Sequence, residues 1–312
     1  MSIRLTFIMG CTGCGKGALG LELARRLDGE IVSIDSMKIY RRMDIGTAKP
    51  APAVRAEVRH HLIDAVEPSE EFSVAQFAQQ AEAAIADLHA RGRPVLCVGG
   101  TALYLKALTE GLFEGPSADP GLRDRLRRRA AAVGNAALHA ELRRIDPEAA
   151  DRIHPNDLQR IVRALEVFEL TGTPISRLQT QWGRLRTRYD SRIIALRRER
   201  EDQSRRTNAR VRRMIEQGLV DEVRSLLSEP RPLSTTARKA LGYAEVIEHL
   251  EGGLPLVEAV EKIKINTRKF AKAQRTWLKR FRTAEWIDLT PEDSAEGVAV
   301  QLLDAKGLAR WK

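Results

Sequence analysis

Short apolar runs alternate with stretches of helical spacing along much of the chain. After the first run, Leu19, Leu23 and Leu27 recur at intervals of four residues, as expected for one face of a helix. Short buried strands separated by helices are typical of a parallel sheet that is covered on both faces. We therefore predict an α/β fold, a parallel sheet with helices on both faces. The predicted strands span residues 5–9, 31–34, 94–98 and 192–196.

A polar, helix-rich segment interrupts the strand pattern in the middle of the chain. Asp146-Pro147 and the Thr-Gly-Thr-Pro sequence at 171–174 break this segment, and the strand pattern resumes after it. A sheet pattern that stops and resumes indicates an inserted domain. We predict a catalytic core over residues 1–115, a helical insertion domain over 116–188, and a last part over 189–312 that completes the core and is basic and helical.

A glycine-rich turn joins the first predicted strand to the first predicted helix. Backbone N–H groups of such a turn, together with the helix N-terminus, bind phosphate, and the lysine reaches the outer phosphate. We therefore predict a P-loop NTPase-like core whose turn binds a diphosphate or nucleotide. Ser or Thr commonly follows the lysine and ligates Mg²⁺, but glycine stands there, so the metal ligands stay unassigned. The turn reads Gly10-Cys11-Thr12-Gly13-Cys14-Gly15-Lys16-Gly17.

The paired cysteines and histidines do not form a recognisable metal site. Cys11 and Cys14 make a Cys-x-x-Cys pair, a pattern compatible with redox or zinc chemistry. Neither a second cysteine pair nor a close histidine accompanies it, and His60-His61 lacks ligand partners at zinc spacing. We interpret the histidines as structural and the cysteines as part of the phosphate loop. An oxidative bridge between the cysteines that distorts the loop is kept as a hypothesis.

Polar residues follow two other predicted strands. Asp35-Ser36 comes after the second strand, and Gly99-Gly100-Thr101 comes after the third. Ligands bind at the carboxyl ends of parallel strands, so these residues and the phosphate loop are expected to meet in one crevice. Asp35 is predicted to be a general base or a metal ligand, and the alternative for Asp35 and for Thr101 is a helix N-cap.

Composition favours a polyanionic partner and an intracellular protein. Lys and Arg number 52 against 42 Asp and Glu, which gives a net charge of +10 and favours nucleic acid, although an arginine-rich proteome is an alternative. Three cysteines suit a reducing cytoplasm, and no apolar stretch approaches the roughly 20 residues that span a bilayer. We expect a soluble, cytoplasmic monomer without membrane association.

Several longer motifs follow one another along nearly the whole chain. They are Asp-Ser-Met-Lys-Ile-Tyr at 35–40, Met-Asp-Ile-Gly-Thr-Ala-Lys-Pro at 43–50, His-His-Leu-Ile-Asp at 60–64, Gly-Gly-Thr-Ala-Leu-Tyr at 99–104, Ile-His-Pro-Asn-Asp at 153–157, Arg-Ala-Leu-Glu-Val at 163–167, Thr-Arg-Lys at 267–269, and Trp277. Unlike a phosphate loop alone, this ordered set is specific, and it resembles the tRNA dimethylallyltransferase family.

The resemblance implies a reaction. A dimethylallyl group passes from dimethylallyl diphosphate to the N6 amine of the adenosine immediately 3′ of the anticodon in tRNA, giving N6-(dimethylallyl)adenosine and diphosphate. Asp35 matches the general base, and Thr101 matches a residue near the acceptor. Lys16 and Arg210 match cations that stabilise the departing diphosphate, and Mg²⁺ is the implied cofactor. ATP would also fit the phosphate loop, although this reaction needs only the donor's diphosphate.

The resemblance further implies that the adenine is flipped out of its stack and that the anticodon stem-loop lies on a basic surface, with the inserted segment closing on the anticodon arm. On the last long predicted helix, basic residues recur every three or four positions from Arg268 to Lys279. A second face, expected to pack on the core, carries Ile263, Phe270, Gln274, Trp277 and Phe281. Positions matching tRNA contacts are Asp35, Ser36, Met37, Lys38, Thr101, Arg123, Gln159, Arg160, Arg163, Gly242, Tyr243, Arg268, Lys272 and Arg275. Ala244-Glu245 and Ala273 depart from the family pattern.

Three alternative functions remain open. An enzyme of the same chemistry could act on free adenine nucleotides, but a small acceptor needs neither the inserted segment nor the basic last third. A small-molecule kinase would lack the hydroxyl that Gly17 replaces. A catalytically inactive RNA-binding protein would have no reason to keep Lys16, Asp35, Thr101 and Arg210 together.

Overall fold

The structure, a computed structural model, describes residues 3–113, 115–179, 188–304 and 308. The chain divides into two compact units. One comprises Met1–Thr109 and Thr187–Lys312, and the other comprises Glu110–Arg186. Residues 180–187, which the sequence analysis assigned to the insertion, lie outside the described residues. No helix of the described part of the chain is long and apolar enough to cross a membrane.

The first unit contains a parallel sheet. Its strands, within the described residues, are β1 (Arg4–Gly10), β2 (Glu30–Ile34), β3 (His60–His61), β4 (Val95–Gly99), β5 (Asp190–Arg198) and β6 (Glu285–Leu289). They lie in the order β3-β2-β4-β1-β5-β6, and all neighbours run parallel. The predicted α/β fold is confirmed. β3 and β6 were not predicted, because β3 has two residues and the edge strand β6 carries charged residues that pair with arginines of β5.

Helices connect the strands and form the second unit. In chain order they are α1 (Lys16–Leu27), α2 (Pro52–Glu57), α3 (Val74–Ala90), α4 (Ala102–Glu110), α5 (Pro120–Val133), α6 (Asn135–Ile145), α7 (Pro147–Arg152), α8 (Leu158–Thr171), α9 (Ile175–Leu178), α10 (Arg200–Glu216), α11 (Leu219–Leu227), α12 (Thr235–Arg238), α13 (Tyr243–Leu250), α14 (Leu256–Leu278) and α15 (Ala295–Asp304). The second unit has its own apolar core, built from residues of α5 to α9.

The sheet is buried on both faces because successive side chains of a strand point to opposite sides. Phe7 and Met9 of β1 pack into a core with α3, α11, α13 and α14, whereas Ile8 packs with α1 and α15. The near-continuous apolar sequence of β1, which lacks an alternating pattern, follows from this double cover. Helices on both faces agree with the sequence prediction.

Three strand ends lie at one level of the sheet. Met9 is in register with Gly99, and Gly99 is in register with Ile34. A Cβ on Gly99 would lie 1.9 Å from the carbonyl oxygen of Ile34, so glycine is required for this close approach. The residues that follow β1, β2 and β4 are therefore brought to the same edge, as the sequence analysis expected.

Candidate active site

The phosphate loop runs from the end of β1 at Gly10 to the start of α1 at Lys16. Gly13 and Gly15 have φ angles of 80° and 104°, a region that glycine adopts without strain. The Lys16 ammonium donates a hydrogen bond back to the carbonyl oxygen of Cys11 at 3.3 Å. The loop is therefore a closed turn with its lysine folded over it, a geometry suited to an anion.

Side chains of β5 and α10 hold the carbonyl groups of the loop. Arg198 Nε donates to the oxygen of Cys14 at 3.0 Å, and Arg206 Nε donates to that of Gly13 at 3.2 Å. Gln203 Nε2 donates to the oxygen of Thr12. Arg198 is itself fixed by Asp202. These contacts orient the loop and add positive charge beside it. None of the three donors was predicted from sequence, since they lie 184 to 193 positions from the loop, among many arginines.

Gln274 of α14 links the phosphate loop to the end of β4. Its Oε1 accepts a hydrogen bond from the Thr12 amide at 2.8 Å, and its Nε2 donates to the carbonyl oxygen of Gly100 at 2.9 Å. A Cβ on Gly100 would lie 2.5 Å from Nε2, so glycine leaves room for this bond. The Thr12 amide is thus engaged by a side chain, and the amides available to a phosphate are those further along the loop. The only sequence signal was a polar residue on a buried helix face.

Asp35 and Thr101 lie at adjacent strand ends. One carboxylate oxygen of Asp35, Oδ1, accepts from the amides of Met37 and Lys38 at 3.0 and 3.3 Å. Thr101 Oγ1 accepts from the Ser36 amide at 3.2 Å. Asp35 therefore does cap a turn, but within the described residues its Oδ2 makes no hydrogen bond and is available to a ligand. Thr101 ties the end of β4 to the end of β2.

Cations surround Asp35. Burial lowers the pKa of Lys38 to about 8; Lys16, Arg210 and Lys49 act in the same direction, and Asp35 opposes them. Burial also lowers the pKa of Arg210, and Asp35 again opposes the shift. Arg210 has no hydrogen bond or ion pair within the described residues. The four predicted catalytic residues, Lys16, Asp35, Thr101 and Arg210, are thus brought to one edge of the sheet.

A cavity of about 470 Å³ opens beside Arg210. Its walls come from the segment 44–55 and from α10. They combine Arg210 and Arg213 with the apolar side chains of Ile45 and Met214, while Lys49 is neutralised by Asp44 and Asp64. This volume is in the range of small-molecule sites. The cavity suits a ligand that has both an anionic and an apolar part.

Among the described residues, no group of three or more His, Cys, Asp or Glu side chains could hold a metal ion. His60 and His61 instead form β3, and His61 Nε2 lies 2.7 Å from Glu30 Oε2. A Cβ on Gly17 would meet nothing within 4 Å. The loop thus has open space, and no protein ligand, at the position where Ser or Thr commonly reaches a metal.

The basic residues of α14 differ in their surroundings. Lys272 is exposed and Arg275 is half-buried, whereas Arg268 donates to Asn208 Oδ1 at 2.7 Å. The buried face of this helix carries Ile263 and Gln274, as predicted, together with Ala259, Thr267, Ala271 and Leu278. Phe270 was assigned to that face wrongly: it is 48% exposed, because it lies one position before the buried Ala271.

Gly242 and Tyr243 are buried rather than presented on the surface. Tyr243 is 0% exposed, and its hydroxyl donates to Glu222 Oε1 at 2.6 Å. The same carboxylate accepts hydrogen bonds from the amides of residues 44–46. Tyr243 therefore stabilises that segment through Glu222. In this structure Tyr243 offers no side-chain surface to RNA, in contrast to the direct contact that the sequence analysis expected.

The unusual Ala244-Glu245 pair also has a structural role. Glu245 is buried; its Oε2 accepts from the Gly242 amide at 2.8 Å and its Oε1 accepts from Asn266 Nδ2 at 2.7 Å. It therefore caps α13 and connects this helix to α14. Glutamate at this position serves the fold of the first unit.

In the second unit, Arg123 and Arg163 both bind Glu166. Arg123 Nε lies 2.8 Å from Glu166 Oε1, Arg163 Nη1 lies 2.6 Å from Oε2, and the Asp119 amide donates to Oε1 at 2.8 Å. Glu166 is 0% exposed, while the two arginines are partly exposed.

Gln159 and Arg160 are exposed near the start of α8, where Asp157 Oδ1 accepts a hydrogen bond from the Arg160 amide. Whether these two residues, or Arg123 and Arg163, contact tRNA stays a prediction.

Comparison with known proteins identifies the family. The IPP transferase family model matches residues 38–281. The tRNA dimethylallyltransferase 2 of Geotalea uraniireducens is 47% identical over 293 residues, 94% of this chain and 94% of that protein. This chain belongs to the tRNA dimethylallyltransferase family. The tRNA dimethylallyltransferase of Anaeromyxobacter dehalogenans is 44% identical over 305 residues, 97% of this chain and 98% of that protein.

Two solved structures agree with the family assignment. The tRNA isopentenylpyrophosphate transferase of Bacillus halodurans has a TM-score of 0.72 and 38% identity, over 99% of this chain and 97% of that one. A eukaryotic dimethylallyltransferase acting on tRNA has a TM-score of 0.79 and 26% identity, over 99% of this chain and 78% of that one. The match over nearly the whole chain extends the dimethylallyltransferase fold to both compact units.

Proposed function

We propose that this dimethylallyltransferase moves a dimethylallyl group from dimethylallyl diphosphate to the N6 amine of the adenosine 3′ of the anticodon in tRNA. The products are N6-(dimethylallyl)adenosine and diphosphate. The observation that carries the proposal is the meeting of Asp35 and Thr101 through Ser36 at the edge of the sheet where β1 enters the phosphate loop. A proton acceptor and an anion site thereby share one crevice.

Asp35 serves as the general base. The exocyclic amine of adenine is a weak nucleophile because its lone pair is delocalised into the ring. As the N6–C bond forms, Oδ2 of Asp35 takes the amine proton, while Oδ1 stays bound to the amides of Met37 and Lys38 and keeps the carboxylate in place. Thr101, fixed by the Ser36 amide, lies beside the acceptor.

The phosphate loop and the cations around it stabilise the leaving group. When the C–O bond of the donor breaks, positive charge develops on the allylic carbon and negative charge develops on the diphosphate. Lys16 and Arg210 supply preformed positive charge there, and the loop amides donate hydrogen bonds. The cavity beside Arg210 combines cations with Ile45 and Met214, which suits an apolar chain attached to a diphosphate.

Mg²⁺ is proposed to accompany the diphosphate. The open space beside Gly17 suits an ion that is held by diphosphate oxygens and water, with few ligands from the protein. When bound, the ion neutralises charge on the leaving diphosphate. ATP is not assigned a role, because its triphosphate would occupy the loop that the donor needs.

Exposed basic residues support tRNA as the acceptor. Lys272 and Arg160 are exposed, Arg275 is half-buried, and the chain carries a net charge of +10. Such charge gains affinity for a phosphate backbone by releasing counterions. The protein is proposed to act in the cytoplasm, where unmodified tRNA is available, and as a monomer.

The test is mass spectrometry of nucleosides from unmodified tRNA after incubation with the enzyme, dimethylallyl diphosphate and Mg²⁺, with AMP as a parallel acceptor. Isopentenyladenosine in tRNA but not from AMP is the expected result. Product from AMP alone would move the activity to free nucleotides. No product from either acceptor would leave an inert RNA-binding protein.

A further inference from the structure

Cys11 and Cys14 are the two ends of one tight turn in the phosphate loop. The Cys14 amide donates to the Cys11 carbonyl oxygen at 3.3 Å, and Gly13 has the positive φ that such a turn needs. The Cα atoms at the ends of a β-turn lie within about 7 Å, and a disulfide requires roughly 4.4–6.8 Å. Both side chains are buried and neither cysteine is in a disulfide in this structure. The turn thus brings the two Cα atoms close to the range that a disulfide requires.

The two side chains interact, and their pKa values shift in opposite directions. Interaction with the Cys11 side chain lowers the pKa of Cys14, Lys16 and Arg198 act in the same direction, and burial opposes them. The same interaction, with burial, raises the pKa of Cys11. Cys14 is therefore the sulfur that reacts as a thiolate, and Cys11 is the neighbouring thiol that resolves the product.

Cys97 provides the contrast within the same chain. It lies inside β4, and burial alone raises its pKa. A buried thiol without a cation or a partner is inert. An oxidant should therefore react with Cys11 and Cys14 and leave Cys97 as a free thiol.

We propose that Cys11 and Cys14 form an oxidisable dithiol site, which hydrogen peroxide closes to a disulfide and which then binds the diphosphate more weakly. The Cys14 thiolate attacks the O–O bond, giving a sulfenic acid and, after protonation, water. The Cys11 thiol then displaces the sulfenic oxygen as a second water. Two thiols and one peroxide thus become one disulfide and two waters.

Closure changes the loop because a disulfide holds its sulfurs about 2.05 Å apart, closer than any contact between two thiols. The turn that must adjust carries backbone amides of the anion site. Cys14 also has little freedom to move, because its side chain is 0% exposed and its Sγ packs against Gly10. The strain is therefore expected to distort the loop backbone. The backbone N–H groups of the loop would then no longer point toward the phosphate.

The full-length protein is treated with hydrogen peroxide, and then its intact mass, its free thiols in denaturant, and its affinity for inorganic pyrophosphate are measured. We expect a mass loss of about 2 Da, with one of the three thiols remaining. The dissociation constant of pyrophosphate should rise about tenfold, the effect of roughly one charge-assisted hydrogen bond. Dithiothreitol should restore all three values.

Matched variants assign the change to the pair. Cys97→Ala should still close the disulfide and leave no free thiol, whereas Cys11→Ser and Cys14→Ser should form no intramolecular disulfide. Mass gains of about 16 or 32 Da without loss of a thiol pair would refute the site. A closed protein that binds pyrophosphate as tightly as the reduced one would refute the effect on the loop.

The inference rests on the diphosphate role of the loop in the proposed function, but the readouts separate the two. A reduced protein that binds no pyrophosphate counts against the proposed function. A reduced protein that binds pyrophosphate but keeps its three thiols under peroxide counts against the dithiol site alone.

Discussion

The side-chain oxygen of Gln274 accepts a hydrogen bond from the backbone amide of Thr12 at 2.8 Å, across 262 positions of sequence. Because the same side chain donates to Gly100, the helix that carries Lys272 and Arg275 is bonded both to the phosphate loop and to the strand end beside Thr101. Gln274 therefore positions the donor side of the crevice relative to the acceptor side.

Gln274→Leu keeps the volume of the side chain but leaves the half-buried Thr12 amide and the buried Gly100 carbonyl group unpaired. We expect a loss of about 1–3 kcal/mol of stability and a KM for dimethylallyl diphosphate that rises more than the KM for tRNA. Steady-state kinetics with each substrate varied in turn checks this split. Thr276→Ala, on the exposed side of the same helix, is the control. Equal changes in both KM values would indicate a purely structural role.

Asp35→Asn separates proton transfer from capping. Asparagine can still accept from the amides of Met37 and Lys38, but its side chain is no base. We expect the single-turnover rate to fall by about 10²–10⁴-fold with little change in tRNA affinity. Asp35→Ala, which also loses the cap, should lower stability in addition. A near-normal rate in Asp35→Asn would exclude Asp35 as the base.

Gly17→Ser tests the missing metal ligand. A Cβ at Gly17 meets nothing within 4 Å, so serine fits, and its hydroxyl stands where other phosphate loops ligate Mg²⁺. We expect half-maximal activity at a lower Mg²⁺ concentration. Gly17→Ala is the control, because it also replaces the glycine in α1, with a gain in helix propensity of about 0.5–1 kcal/mol, but adds no oxygen. An identical Mg²⁺ dependence of the serine and alanine variants would contradict the prediction.

Glu166→Gln tests the ion-pair hub of the second unit. The buried carboxylate binds Arg123 and Arg163, and losing its charge leaves both guanidinium groups without their anion. We expect a loss of about 1–3 kcal/mol in urea unfolding, because the two arginines left unpaired are partly exposed, and weaker tRNA binding. Glu169→Gln breaks the surface pair with Arg125 and should cost under about 1 kcal/mol. Equal effects of the two variants would show that burial of Glu166 does not matter.

Lys38 gives a pH dependence of stability. Its pKa is lowered to about 8 in the folded protein, so between about pH 8 and the ordinary lysine pKa the unfolded chain binds more protons than the native one. Stability from this group therefore rises with pH through that window. Urea unfolding at several pH values should show this upward slope in the wild type and lose it in Lys38→Met. An unchanged slope in the variant would contradict the lowered pKa.

Sequence alone determined the features that depend on local order along the chain. The apolar runs of β1 and β2, the GxxxxGK turn and the leucines of α1 are local, and so the α/β fold and the phosphate loop followed from them. The ordered motifs identified the family, since each one is a contiguous string. Asp35 and Thr101 were found because they directly follow strands, and parallel strands end at one edge.

Tertiary structure decided the partners of buried polar groups. Gln274 binds Thr12 and Gly100, and Arg198 binds Cys14, because folding brings distant segments together and a buried donor or acceptor must find a partner there. For the same reason Tyr243 supports the segment 44–46 from inside, and Phe270 lies at the surface. Helical spacing places residues on a face, but only packing decides which face is buried and what each polar group meets.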